Sequence, residues 1–217
     1  MSVLQAHELY RFHHAGDDET AALRGVDVQL DAGELVALVG LSGSGKSTLL
    51  ACLAGLDEPD GGHVEVMGKR LSRRPEATRA RLRARHIGMM MQSGNLFDHL
   101  TVSANIALQI WLAGKGERGS LLQRLGIGER GDALPSQLSG GEAARAGLAV
   151  ALAADPDILI CDEPTAEVDA ETEDRILEFL DERRRAGCAI LVATHSASLA
   201  RHADRLLHIS DGRIVHD

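Results

Sequence analysis

Short apolar runs recur along the chain and alternate with segments whose apolar residues follow helical spacing. Residues 26–30 alternate apolar and polar positions, whereas 34–39 are almost continuously apolar, and both patterns are typical of β-strands. Similar runs predict further strands at 64–67, 87–91, 158–161 and 189–193. Helices are predicted at 46–54, 101–112, 120–125, 140–153 and 171–185.

No strand is predicted between residues 101 and 154, where Gly and Pro separate the helical segments. Strands with crossover helices precede and follow this stretch, which is the pattern of a parallel α/β core. The sequence therefore predicts one α/β domain, with its core at about 1–94 and 156–217 and a helical insertion at about 95–155.

Residues 73–85 contain six arginines and show no apolar face, so no element is predicted there. A solvated face is the first interpretation of this basic run. Contact with an acidic partner loop or with lipid head groups is the alternative.

Composition narrows the class of protein. The chain has 217 residues, 44% of them hydrophobic and 25% charged, as in an ordinary globular domain. Its net charge of −9 argues against nucleic acid as the main partner. Cys52, Cys161 and Cys188 are too few and too widely spaced for a disulfide framework. No apolar stretch or N-terminal pattern predicts a membrane span or signal peptide, so we expect a cytosolic protein that reaches a membrane only through another subunit.

A glycine-rich segment follows the predicted strand at 34–39. Residues 40–47, "GLSGSGKS", match G-x-x-x-x-G-K-[ST] between a predicted strand and a predicted helix, the context that a P-loop requires. Such a loop turns backbone N–H groups toward phosphate, and the helix N-terminus adds positive potential. Lys46 would neutralise the β- and γ-phosphates and Ser47 would bind Mg²⁺. The pattern therefore predicts nucleotide binding.

A second polar pair ends the strand at 158–161. The segment "ILICDEPT" delivers Asp162 and Glu163 at the carboxyl edge of the predicted sheet. Asp162 would join the Mg²⁺ shell, and Glu163 would act as general base toward the attacking water. An acidic strand end alone is common, but beside a P-loop this pair indicates nucleotide hydrolysis.

A second glycine-rich segment, "LSGGE" at 138–142, opens a predicted helix. In isolation it is simply a helix N-cap at Ser139. One P-loop already serves one nucleotide, however. A second anion-binding loop would be needed if two chains paired head to tail, because this loop of each chain would then cover the γ-phosphate of the nucleotide bound by the other chain.

With these motifs the chain resembles, over essentially its whole length, the nucleotide-binding subunit of ATP-binding cassette (ABC) transporters. "GLSGSGKST", Gln92, "LSGGE", "ILICDEP", Asp169 and "TH" at 194–195 occur in the order of that family. The resemblance implies a P-loop NTPase, with a RecA-like core of mainly parallel sheet, an N-terminal antiparallel β subdomain and an inserted α-helical lobe. It also implies an ATPase that uses ATP and Mg²⁺.

The resemblance assigns a role to each matched residue. Glu163 is the expected base, and Lys46, Gln92 and His195 are expected to assist catalysis. Ser47, Gln92 and Asp162 are the expected Mg²⁺ ligands. The nucleotide is expected to contact Tyr10, Gly40, Ser42, Gly43, Ser44, Gly45, Lys46, Ser47 and Thr48, and, across a dimer, Ser139, Gly140, Gly141 and Asp169. Without the resemblance, His195 would be interpreted as a helix cap and Gln92 as an ordinary loop residue. Phe12 or a neighbouring histidine could take the place of Tyr10 as the aromatic residue that stacks on adenine.

Several positions depart from the family pattern. Glu142, Ala143 and Ala144 stand where glutamines are usual, and Val150 where arginine is common. Glu167 replaces a small residue and Ser196 a frequent aspartate. None of these changes removes a residue of the chemistry.

The expected partners are a second ATPase chain, forming a homodimer, and a separately encoded transmembrane permease at the cytoplasmic face of the membrane. Segments such as "STLLACLAGLDEPDGG" favour the macrolide-exporter and lipoprotein-releasing branch. Export, extraction or mechanotransmission is the function this implies, with residues 92–106 receiving the permease. A regulatory cassette controlling a cell-wall enzyme and an importer ATPase remain alternatives. A soluble cassette in DNA repair or translation is disfavoured, since the chain is acidic and lacks a long coiled coil or second cassette.

Overall fold

The computed structural model describes residues 1–15, 18–116, 121–166 and 168–215. Its ten strands in these ranges are β1 Ser2–Ala15, β2 Asp18–Asp31, β3 Leu35–Val39, β4 Gly61–Val66, β5 Lys69–Arg70, β6 Ile87–Met90, β7 Ile158–Asp162, β8 Ala189–Ala193, β9 Arg205–Ser210 and β10 Arg213–Val215. Its seven α-helices there are α1 Lys46–Leu53, α2 Glu76–His86, α3 Val102–Ala113, α4 Leu121–Arg124, α5 Gly140–Leu152, α6 Ala170–Arg185 and α7 Ala197–His202. Two 3₁₀ turns, Gly128–Arg130 and Pro135–Gln137, lie between α4 and α5.

The strands form two sheets. Six strands in the order β10-β9-β3-β8-β7-β6 make the core sheet, which is parallel except for the β9–β10 hairpin. The other four, in the order β2-β1-β4-β5, make an antiparallel sheet. The predicted combination of a mainly parallel core with an antiparallel β subdomain is therefore correct.

Side-chain alternation along the core strands builds a hydrophobic cluster on each face of the parallel sheet. Val36 and Leu38 of β3 pack with the antiparallel sheet and α1. Leu35 and Ala37 of the same strand pack with α3, α5 and α6. Because both faces are covered, the central strands are continuously apolar, which made them recognisable.

Between β6 and β7 the described residues form helices joined by loops and contain no strand, as predicted for residues 101–154. None of the described helices is long and apolar enough to cross a membrane. All three cysteines are buried and free, and burial raises the pKa of the Cys52 thiol to about 12.

Three parts of the fold differ from the expectations. The basic run forms helix α2, which has no fully buried residue and so lacks the apolar stripe that predicts a helix. Strand β2 is far longer than the predicted run at 26–30, and β1 was not placed, because bulges in the β1–β2 pairing interrupt the alternation that would have revealed both strands. The strands β5, β9 and β10 and the helix α7 were not predicted either.

Candidate functional site

A cavity of about 870 Å³ opens at the carboxyl ends of the parallel strands, where open α/β sheets bind their ligands. Strand β3 leads into it through residues 40–45 and helix α1, β7 through Asp162 and Glu163, and β8 through His195. The antiparallel sheet adds His13 and residues 20–22 on one side. Three sequence motifs that are far apart in the chain thus meet around one space.

The loop between β3 and α1 has the geometry of a phosphate cradle. Gly43 and Gly45 have positive φ values of 77° and 105°, which glycine adopts without strain. A Cβ at Gly40 would lie 2.3 Å from the Ile209 carbonyl oxygen, so only glycine fits there. Helix α1 begins at Lys46 and directs the free N–H groups of its first turn at the cavity. Gly40 and Ser44 belong to this loop but do not line the cavity.

Lys46 is nearly buried and its ammonium group spans the loop. Its Nζ donates hydrogen bonds to the carbonyl oxygens of Gly40, at 2.7 Å, and Leu41, at 3.1 Å. The same Nζ lies 3.5 Å from Nε2 of His195. The Lys46 ammonium group is therefore held in the cavity lining, where it could bind a phosphate group.

Two oxygen donors lie next to the cradle. The Ser47 hydroxyl donates to Oδ2 of Asp162 at 2.8 Å, and Asp162 is only 5% exposed at the end of β7. Gln92 lines the same cavity. Hard oxygen donors suit Mg²⁺, which keeps waters and phosphate oxygens as its other ligands. A hydroxyl and a carboxylate beside a phosphate cradle are a donor set that fits a phosphate-bound Mg²⁺. The described residues contain no cluster of three or more His, Cys, Asp or Glu.

Glu163, which follows Asp162 at the end of β7, has an unusual backbone conformation. Its φ of 53° places it in the left-handed region, where a non-glycine residue is strained. Its Oε2 accepts a hydrogen bond from the His195 backbone N–H at 3.1 Å. Its Oε1 is buried and has no hydrogen-bond partner in the described part of the chain, although it lies 3.5 Å from His195 Nε2. One carboxylate oxygen is thus fixed and the other is available to accept a proton.

His195 lies opposite the cradle, with a side chain that is 60% exposed. It is not the helix cap, because Ser196 caps α7 by accepting from the Leu199 N–H. Ser196 also donates to Glu173 Oε1 at 2.6 Å. Ser196, which stands where the family often has aspartate, therefore stabilises the loop that carries His195.

Ser139 begins helix α5 in a capping box. Its hydroxyl accepts from the Glu142 N–H at 3.3 Å, and Glu142 Oε2 accepts from the Ser139 N–H at 2.8 Å. That N–H, together with Arg130 on Oε1 at 2.7 Å, lowers the pKa of Glu142 to about 2. The cap is therefore ionised and intact at neutral pH.

The structure does not bring every predicted residue into the cavity. Ser139, Gly141 and Asp169 lie outside its lining, and Gly140 lines a separate cavity of about 290 Å³ that it shares with Gln92 and Glu163. Asp169 caps α6, where the Thr172 N–H lowers the pKa of its carboxyl. Glu167 lies outside the described residues.

Tyr10 is not in the cavity either. Its side chain covers Gly25 and Gly61, where an added Cβ would lie 2.9 Å from the Tyr10 hydroxyl oxygen and 3.0 Å from a ring carbon, respectively. His13 lines the cavity instead, with Nε2 3.3 Å from the Thr48 hydroxyl. The structure therefore places the neighbouring histidine in the cavity and Tyr10 outside it, and the bulges in β1 change which side chains face the site.

Several lining residues were not predicted. They are Thr20, Ala21, Ala22, Arg24, Thr165, Ala166, Glu173, Ser196, Asp211 and Gly212. Most come from β2 and the β9–β10 turn, whose positions depend on sheet packing. The sequence offers no local signal for them.

Comparison with known proteins places this geometry in a family. A profile of the family described as "ABC transporter" matches residues 23–166. The chain belongs to that family. It is 41% identical over its full length to "Uncharacterized ABC transporter ATP-binding protein YbbA" of Escherichia coli (strain K12), 98% of which it covers. It is 42% identical, over 99% of its length, to "Macrolide export ATP-binding/permease protein MacB" of Bordetella avium (strain 197N), but covers 34% of that protein.

Solved structures agree with this assignment. A dimeric structure of MJ0796, described as a bacterial ABC transporter cassette, superimposes with a TM-score of 0.92 at 28% identity, covering 98% of this chain and 97% of that one. The same values are found for MJ0796 in a dimeric post-hydrolysis state bound to ADP and Pi. The chain is thus an ABC ATPase cassette, as the sequence motifs predicted.

Proposed function

We propose that this chain is the ATP-hydrolysing subunit of a transporter, that it pairs head to tail around two Mg-ATP, and that it drives a separate membrane subunit. The observation that carries the proposal is the meeting of Lys46, Ser47, Asp162, Glu163 and His195 around one cavity. The relationship to YbbA and MacB supports a role in an ABC transporter, and MacB supports export in particular.

The cavity residues divide the work of hydrolysis. Lys46 and the N–H groups of the P-loop hold the β- and γ-phosphates. Glu163 Oε1 takes the proton of the attacking water, while the fixed Oε2 keeps the carboxylate in place. His195 lies within reach of both Lys46 and Glu163 and contacts the γ-phosphate. When bound between Ser47 and Asp162, Mg²⁺ would neutralise phosphate charge.

A second chain would complete the site. Ser139, Gly141 and Asp169 do not line the cavity of their own chain, yet Ser139 presents the start of a helix with its cap preformed. A helix N-terminus is suited to bind an anion. The dimeric form of the related cassette MJ0796 supports this arrangement.

His13 is proposed as the adenine contact. We expect His13→Ala to weaken ATP binding about threefold to tenfold, since an aromatic contact contributes about 0.5–1.5 kcal/mol. Titration calorimetry with ATP and with inorganic triphosphate separates base from phosphate contacts, and only ATP binding should change. Tyr10→Ala is the matched control and should leave the ATP affinity intact. The reverse ranking of the two variants would restore Tyr10.

The membrane partner is proposed to dock at a cleft between the core and the helical lobe. This cleft has a volume of about 310 Å³ and is lined mainly by apolar residues, including Leu56, Ile87, Met89 and Leu112. Phe97, in the predicted docking segment 92–106, is 64% exposed. Docking there would place the chain at the cytoplasmic face of the membrane. A partner that also contacts the segment 92–106 would reach Gln92, which lines the cavity.

Co-purification with Mg-ATP from detergent-solubilised membranes of cells expressing the chain tests this function. We expect mass spectrometry to identify a membrane subunit with few spanning helices and a large external part, and Leu112→Glu to abolish its recovery. Leu206→Glu, an exposed leucine on β9, is the control and should retain it. A many-helix permease with a solute-binding protein would indicate import, and an external partner that is a cell-wall enzyme would indicate regulation. Recovery of no membrane protein would contradict the proposal.

A further inference from the structure

Basic residues are concentrated in one segment of this acidic chain. Residues 69–85 contain eight of the 23 lysines and arginines but one of the 32 acidic residues, in a chain of net charge −9. Most of this segment forms helix α2 and the turn before it. A basic segment in an acidic chain is typical of a surface that binds an anionic partner.

The acidic residues near this segment are already paired. Glu76 binds Arg79 and Arg83, and Glu58 binds Arg79. Arg81 and Arg85 are exposed and form no ion pair or side-chain hydrogen bond within the described ranges. They lie four residues apart on one helix face, a spacing at which like charges repel. An anionic ligand would relieve that repulsion.

The neighbouring helix α3 exposes large apolar side chains. Trp111 is 75% exposed and Leu112 is 53% exposed. Ala80 and Ala84 of α2 and Leu112 of α3 line the same cleft, so the two helices form its two sides. Arg81 and Arg85 each follow one of these alanines, on the solvent side of α2. Arg81 and Arg85 on α2 and Trp111 on α3 are thus each adjacent in sequence to a residue that lines this cleft.

We infer that this basic–tryptophan face, formed by Arg81, Arg85 and Trp111, contacts the anionic head groups of a membrane. Guanidinium groups bind phosphate oxygens in pairs. Tryptophan favours the boundary between water and lipid, because its apolar ring can enter the lipid while its N–H remains hydrated. We expect a membrane surface that rests on both helices to meet all three exposed side chains. A peptide seated in the cleft would leave the outward-facing arginines unmatched.

This inference deepens the proposed function and rests on it only for the orientation of the chain at the membrane. Lipid contact beside the docking cleft would hold the cassette against the bilayer and orient it toward its partner. Each arginine near an anionic surface contributes about 1 kcal/mol.

The tryptophan provides the test, because it is the only one in the chain. The full chain is mixed at low salt with vesicles of phosphatidylcholine alone, or of equal parts phosphatidylcholine and phosphatidylglycerol. We expect co-sedimentation and a blue shift of Trp111 fluorescence with the anionic vesicles only, both reversed by salt. Arg81→Gln with Arg85→Gln should weaken binding about 30-fold, the equivalent of about 1 kcal/mol for each arginine. Arg201→Gln with Arg213→Gln, two exposed arginines elsewhere, is the matched control and should bind as the parent does.

Absence of a fluorescence shift with anionic vesicles would overturn the inference, as would equal binding by the two double variants. If vesicle binding were absent while Arg81→Gln with Arg85→Gln lost the co-purified membrane subunit, the face would instead contact an acidic protein segment. ATP turnover measured without lipid is the separate readout of the proposed function, and it should be the same in both double variants.

Discussion

Replacement of Glu163 by glutamine is expected to abolish most ATP turnover while leaving ATP binding intact. Glutamine keeps the shape of the side chain. Its amide oxygen can still accept the hydrogen bond from the His195 N–H that Glu163 Oε2 accepts at 3.1 Å in the parent. It cannot take a proton from water. General-base catalysis of this kind contributes about 10²- to 10⁴-fold, so turnover should fall by at least about 100-fold. Phosphate release and calorimetric ATP binding are the two measurements.

Glu163→Gln should also accumulate as an ATP-bound dimer, because the dimer can no longer hydrolyse its ATP and separate. Size-exclusion chromatography with light scattering, with and without Mg-ATP, detects this. Glu173→Gln is the matched control, since Glu173 lines the same cavity but binds Ser196, and it should retain most turnover. Turnover of Glu163→Gln equal to that of the parent would remove Glu163 as the base.

The parts of the site that could be predicted share one property: each follows directly from a buried parallel strand. The apolar run at 35–39 ends in the P-loop, and β7 ends in Asp162 and Glu163. In a parallel sheet, the carboxyl ends of such strands meet at one edge. Local pattern and tertiary position therefore agree, and the sequence was sufficient to place Lys46 and Glu163 together.

The parts that could not be predicted depend on packing between elements. In β1, register shifts on both sides of Tyr10 decide that its ring covers two glycines, whereas His13 reaches the cavity. Alternation along the strand contains no information about those shifts. Helix α2 is stabilised at its surface by ion pairs such as Arg83–Glu76 and has no fully buried side chain, so hydrophobic periodicity could not reveal it.

The proposed head-to-tail dimer leads to the second large effect. Ser139→Arg should block ATP hydrolysis while each monomer still binds ATP, because Ser139 lies outside the cavity of its own chain. In the proposed dimer it contacts the γ-phosphate bound by the partner, and an arginine side chain would prevent that approach. Loss of the N-cap costs about 1 kcal/mol, so the fold should persist. Circular dichroism checks this directly.

The decisive measurement combines the two substitutions. Glu163→Gln should form a dimer with Mg-ATP, and Glu163→Gln with Ser139→Arg should remain a monomer that binds ATP with unchanged affinity. Ser136→Arg introduces the same side chain on the exposed turn three residues earlier, and combined with Glu163→Gln it should still dimerise. If the Ser139→Arg monomer failed to bind ATP although it was folded, Ser139 would act on the nucleotide of its own chain. The head-to-tail arrangement would then be wrong.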